Sequence, residues 1–295
     1  MKIFIKRILI LIFLTLFLIN VFKYSDIVTT SSINAINLWI QKLFPSLFIM
    51  FIINDLIINT DSYLYIVKIL KLKSNKSIAF LLSIFSGTPA NAFIIKELLI
   101  NQKINLDDAN KLLMYTYFSN PLFLYNILIL MFNESQVIKL IFIHYISNIF
   151  IYLIVKNKTN DYLCFTYNNY NIFSLLEKSI KRSVNTLLMI LGTITFFMIL
   201  SNLLVKVFEL DLYTEILIKG IFEITQSLND LTNINVNNNL KQLLVLSIVS
   251  FGGISIHMQI FSIISNTKIE YKYFLKGRVF HVLISIILLL ISFII

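Results

Sequence analysis

Residues 77–100 read SIAFLLSIFSGTPANAFIIKELLI. The stretch has the length of a membrane crossing, for which about 20 apolar residues suffice. Its middle, however, is Ser86-Gly87-Thr88-Pro89-Ala90-Asn91. Glycine and proline interrupt a helical ladder there, and polar side chains beside unpaired backbone are costly in hydrocarbon. The stretch therefore predicts a re-entrant hairpin that enters and leaves the bilayer on one side. Residues 219–234 carry the same signature: an apolar start too short to cross, with Glu223, Gln226, Asn229 and Asp230 inside it.

Around these two interruptions lie longer apolar runs. Of the 295 residues 58% are hydrophobic and 14% charged, and the mean hydropathy is +0.83. A soluble domain carries roughly 25% charged residues, so a soluble enzyme and a disordered chain are excluded. Cys164 is the lone cysteine, which excludes a disulfide framework. Seven runs predict full spans: Ile8–Phe22, Leu43–Ile58, Leu112–Phe132, Val137–Val155, Ser183–Val205, Lys241–Ile264 and Val279–Ile295. The first follows Lys2, Lys6 and Arg7 and precedes no small-residue cleavage site, so residues 1–26 read as a retained signal anchor.

With the N-terminus in the cytoplasm and both interruptions drawn as hairpins, 18 of the 25 lysines and arginines fall in cytoplasmic pieces and 6 outside. Lys96 lies within the first hairpin. This is the bias expected of cytoplasmic loops, and it explains the net charge of +10 without nucleic acid. The same drawing repeats itself. Residues 27–155 run span, cytoplasmic hairpin (77–100), span, span. After a cytoplasmic linker, 156–182, residues 183–295 run span, outer hairpin (219–234), span, span. Faint matches occur at an offset of 147, such as Ser32-Ile33 with Ser179-Ile180 and Asn54-Asp55 with Ser201-Asn202. The expected fold is an all-α polytopic membrane protein, an inverted-repeat transporter with about seven transmembrane helices and two re-entrant hairpins. Such carriers bind substrate near the midplane, at broken helices.

Polar residues at the breaks are the candidate site. In the first half they are Ser86, Gly87, Thr88, Asn91, Ser119 and Asn120, the last two beside Pro121. In the second half Gly252 and Gly253 interrupt a span, with Ser255 and His257 just beyond. Exposed amides at such breaks bind anions, so these ten residues are substrate-binding candidates. Glu223 with Thr225 is the candidate site for a coupling proton or sodium ion, because an acid at membrane depth wants a partner. No HExxH, GxSxG or Walker pattern occurs, so neither an enzyme, a cofactor nor a metal site is expected.

Five pieces carry a family resemblance. They are Leu43-Phe44-Pro45-Ser46-Leu47-Phe48, Ser86-Gly87-Thr88-Pro89-Ala90-Asn91-Ala92, Ser119-Asn120-Pro121-Leu122-Phe123, Gly220-Ile221-Phe222-Glu223-Ile224-Thr225 and Phe251-Gly252-Gly253-Ile254-Ser255-Ile256-His257-Met258-Gln259. In this order they resemble the YlbJ-type sporulation integral membrane proteins over roughly residues 30–290. This sequence departs from the family's pattern at Thr88, Asn91 and Asn120. The family is similar to nucleoside transporters through their gate domain, and a member assigned to stage V of sporulation moves dipicolinate across the outer forespore membrane. The resemblance implies export of a small anionic metabolite, dipicolinate, from mother cell toward forespore by a multi-pass protein of that membrane. The partners expected are this substrate and the lipid bilayer, and a homo-oligomer is compatible with the pattern. A nucleoside or other metabolite carrier, and a non-transporting assembly factor for the spore envelope, are the alternatives.

Overall fold

The computed structural model describes residues 2–69, 74–155 and 171–294, and every regular element among them is helical. α1 (Lys2–Lys23) is an apolar rod with no buried residue in its span. After Tyr24 the chain enters α2 (Ser25–Leu38), passes through a π-helical turn at Trp39–Leu43 and continues as α3 (Phe44–Asn59). The helix thus begins well before the span predicted from Leu43. Thr29, Thr30 and Ser32 return their hydroxyls to carbonyls four residues back, which lets polar residues sit in a helix with their donors satisfied. The π turn lies directly ahead of Pro45, which has no N–H for the ladder, and the two helical segments meet at 51°.

α4 (Tyr63–Ile69) is a short connector. α5 (Asn75–Ser86) and α6 (Ala90–Ile100) pack together as the first hairpin, its tip at Gly87–Pro89. α7 (Leu106–Tyr115) and α8 (Pro121–Leu128) flank a non-helical segment, Thr116–Asn120. This corrects the reading of 112–132 as one span. Pro121 cannot donate to the preceding turn, and the Asn120 side chain instead accepts from the amides of Leu122 and Phe123 at 3.0 and 3.2 Å. A new helix is capped there rather than an old one continued. α9 (Glu134–Val155) is unbroken.

α10 (Ile172–Phe208) has 37 residues. At 1.5 Å per residue it is about 55 Å long, against a hydrocarbon core of about 30 Å. It absorbs the end of the predicted linker 156–182 as well as the span 183–205. Cys164 and the rest of that linker lie outside the described residues, as do Lys71, Lys73, Lys156 and Lys158 of the charge count.

α11 (Leu212–Phe222) and α12 (Ile224–Thr232) make the second hairpin. It starts earlier than the predicted 219–234, because Asp211 caps α11. Its carboxylate accepts from the amides of Tyr213 and Thr214 at 3.0 and 3.2 Å and from the Thr214 hydroxyl at 2.6 Å. These bonds, the hydroxyl's first, hold the carboxyl below the usual carboxylate range. Ser227 donates across the arms to the Ile216 carbonyl at 2.9 Å. α13 (Asn238–Phe251) and α14 (Gly253–Ile264) are divided at Gly252, and α15 (Tyr271–Ile294) completes the described chain.

Among the described residues five helical stretches are long and apolar enough to cross a membrane: α1, α9, α10, α13 with α14, and α15. The bent pair of α2 and α3 raises this to six, short of the seven expected. The chain is an all-α polytopic membrane protein. α10 packs along α2 and α3, and α15 along α9, α7 and α13. The hairpins and the two interrupted helices lie among these long helices.

Candidate functional site

At the first hairpin tip, Ser86 ends α5 with its hydroxyl on the Leu82 carbonyl. Gly87 follows at φ +72°, and a Cβ there would stand 2.7 Å from the Asn120 amide nitrogen. Only glycine both adopts that conformation cheaply and lets the tip come so close. The closeness has a purpose in the hydrogen-bond ledger: the Thr88 amide donates to the Phe118 carbonyl at 2.8 Å. The hairpin tip is thereby joined to the unwound segment between α7 and α8. Asn91, wholly buried, reaches the Thr116 hydroxyl at 3.3 Å.

A buried unwound segment must find partners for its backbone. Here α9 supplies them. The Ser119 amide donates to His144 Nε2 at 3.1 Å, the Tyr145 hydroxyl donates to the Ser119 carbonyl at 3.0 Å, and Asn148 Nδ2 donates to the Tyr117 carbonyl. His144 and Asn148 are four residues apart and so share one helix face.

In the second half Glu223 sits at the hairpin tip and caps α12. Its Oε2 accepts from the amides of Thr225 and Gln226 at 2.6 and 3.1 Å. Its Oε1 accepts from the hydroxyls of Thr225 at 3.1 Å and Ser255 at 3.5 Å. The buried acid is therefore partnered by its own helix N-terminus. Gly252 and Gly253 have φ +91° and +65°. A Cβ on Gly252 would lie 2.6 Å from the Tyr117 hydroxyl, which donates to the Val249 carbonyl at 3.0 Å.

These pieces meet around a cavity of ≈ 60 Å³, room for a few waters. Its polar wall is Thr88, Tyr117, Ser119, Asn120, Glu223, Thr225 and Gln259. Leu43, Leu47, Phe123, Ile190, Ile194 and Ile256 close it with apolar surface. Thr88, Ser119, Asn120, Glu223 and Thr225 of the predicted residues are thus brought together, and Ser255 stands behind Glu223. Ser86, Gly87, Asn91, Gly252 and Gly253 shape the breaks without lining the cavity. His257 does not line the cavity. Its Nδ1 meets the Tyr271 hydroxyl at 2.6 Å and its Nε2 the Phe251 carbonyl at 3.0 Å, so both ring nitrogens are engaged off the cavity.

Tyr117, Gln259 and Arg278 escaped the sequence reading. Arg278 belongs to the basic loop 265–278 in the charge count, yet it is 0% exposed in α15. Its guanidinium lies 3.8 Å from the centre of the Tyr117 ring. It donates to the carbonyls of Met114 at 3.2 Å and Ser250 at 3.4 Å, one in the last turn of α7 and one in the last turn of α13. Gly277 makes this possible, because a Cβ there would come within 2.3 Å of the Met114 oxygen. The missed signal is a stripe: Phe274, Arg278, His281 and Ser285 recur at helical spacing and are all buried, which marks the inward face of α15.

No protein-family model matches the chain, and no solved structure matches it. Among curated proteins it is 24% identical over 298 aligned positions to the sporulation integral membrane protein YlbJ of Bacillus subtilis (strain 168), an alignment that covers 84% of this chain and 73% of the relative. That similarity agrees with the resemblance carried by the five sequence pieces, four of which contribute residues to the cavity's polar wall. The chain is thus similar, over most of its length, to a YlbJ-type sporulation integral membrane protein.

Proposed function

We propose that this protein is a secondary carrier, not an enzyme, that exports a small anionic metabolite across a sporulation membrane, with dipicolinate leaving the mother cell as its substrate. The observation that carries the reading is the meeting of two hairpin tips and two interrupted helices at one small, mainly apolar cavity with a polar wall. The proposed frame is an inverted repeat. Element order supports it: long helix, hairpin, interrupted helix and long helix occur in each half. α2 starts at Ser25 and α10 at Ile172, the offset of 147 found in the sequence. Beyond α4, which has no counterpart, the offset shortens: α7 ends at Tyr115 and α13 at Phe251.

A cavity for a few waters is too small for an aromatic dicarboxylate, so the conformation described is closed, and substrate enters when one half rocks against the other. The helices α6, α8 and α12 begin at the cavity wall, and α14 contributes Ile256 and Gln259 from its first turns. Positive helix ends suit carboxylates. The test is complementation of a sporulating strain that lacks dipicolinate export, scored by dipicolinate in the spore. The wild-type chain is expected to restore it and Glu223→Gln to fail at equal membrane abundance. Normal dipicolinate with Glu223→Gln would remove that residue from the mechanism.

Glu223 also favours a second reading. A carboxylate in the wall accepts from hydroxyls, which suits a nucleoside. Uptake of labelled uridine by the wild-type chain, with no effect on dipicolinate, would decide for it.

A further inference from the structure

We propose that Arg278 sets the sign of the charge the cavity accepts: by holding the C-terminal carbonyls of α7 and α13 it offsets the negative ends of both interrupted helices and leaves the positive ends of α8, capped by the neutral Asn120, and of α14, without a side-chain cap, to act on an anion. The inference rests on the carrier reading above and names the residue that determines its substrate class.

An interrupted helix ordinarily presents a negative end and a positive end side by side, and the two fields oppose each other. In this protein one side chain treats both interruptions alike. Arg278 reaches Met114 O in the last turn of α7 and Ser250 O in the last turn of α13. Its charge is not used elsewhere. Lys103 is paired with Asp61, and Lys219 with Glu215 and Asp230, but Arg278 forms no ion pair among the described residues. It is fully buried, so its field is poorly screened by solvent. The Tyr117 ring lies against the guanidinium and also contributes to the cavity wall. Glu223 offsets the positive end of α12 by capping it. What remains at the wall is the field of α6, α8 and α14, backed by a cation.

The experiment uses the full chain in proteoliposomes and compares flux of dipicolinate with flux of its neutral isostere, pyridine-2,6-dicarboxamide, and of uridine. Wild type is expected to prefer dipicolinate over the diamide. Arg278→Met is expected to lower that ratio by on the order of tenfold, from removal of one poorly screened charge several ångströms away. Arg278→Lys keeps a charge at the same depth and is expected to keep most of the preference, which a purely packing role would not predict. An unchanged ratio in Arg278→Met overturns the inference and leaves the carrier reading standing. Loss of the ratio in Arg278→Lys at normal membrane abundance also overturns it. A wild-type chain that moves neither pyridine compound sinks the anion-carrier reading itself, and this inference with it.

Discussion

Replacing Gly277 with alanine tests the packing that places Arg278. The new Cβ would sit 2.3 Å from the Met114 carbonyl oxygen, 2.6 Å from its Cα and 2.8 Å from its carbonyl carbon. All three are backbone atoms of α7, so no side chain can swing aside. Restoring ordinary contact moves α15 away by about 1 Å. Overpacking of this kind costs about 1–3 kcal/mol. The same shift stretches the Arg278–Met114 hydrogen bond, 3.2 Å at rest, beyond useful length, and a bond to a charged group contributes about 1.5–3 kcal/mol. Alanine returns about 1 kcal/mol of helix propensity. The net expectation is a loss of about 3 kcal/mol, equivalent to about 6–12 °C in Tm for a large domain. Gly192→Ala in α10 is the control, because no heavy atom lies within 4 Å of its Cβ. It is expected to be neutral or to stabilise by up to about 1 kcal/mol. Thermal unfolding of both variants in nanodiscs makes the comparison. If Gly277→Ala melts with wild type, the close approach of α15 to α7 is wrong.

Three further substitutions probe the site. Asn148→Ala strips the Tyr117 carbonyl of its donor and is expected to cost about 1–3 kcal/mol, read as a lower Tm with faster hydrogen exchange across 116–120. Gly87→Ala meets both a left-handed φ of +72° and the Asn120 amide nitrogen at 2.7 Å. It is expected to cost at least about 2 kcal/mol and to show first as protease sensitivity at the hairpin tip. Arg182 joins α10 to α3 and α6 by pairing with Asp55 at 3.2 Å and Glu97 at 3.4 Å. Among the described residues, Arg182→Gln leaves the buried Asp55 with Ser179 and Asn59. Because Arg182 is 47% exposed, a loss of about 1–2 kcal/mol in a denaturation series is expected rather than the full penalty of a buried pair.

The first hairpin was legible because Gly87 and Pro89 stand in an apolar field with no competing explanation. The second was legible at Glu223, but its first arm was not. Leu212–Phe222 looks like the tail of a span until Asp211 is recognised as a cap. The interruption at 116–120 was half visible. Pro121 announced it, while hydropathy averaged across 112–132 hid it, since the residues that satisfy the unwound backbone lie on α9. Of the site, the residues at the breaks could be read from local sequence. Tyr117 and Arg278 could not, because their roles arise from contacts more than 130 residues apart in the chain, Tyr117 with Val249 and Arg278 with Met114. His257 lies off the cavity for the converse reason: a histidine just past two glycines is also well placed to cap the carbonyl of Phe251.

The bond from Thr88 to Phe118 has a mechanical consequence. It welds the tip of one element to the slack of another, so the two travel as a single piece unless a backbone pair is broken in oil. Bending must then be taken up at the far ends of these elements, where the chain is already irregular: at 101–105, leaving the hairpin, and at 129–133, leaving α8. In the carrier proposed above, a cross-link that stiffened either turn is expected to arrest transport while leaving the cavity untouched.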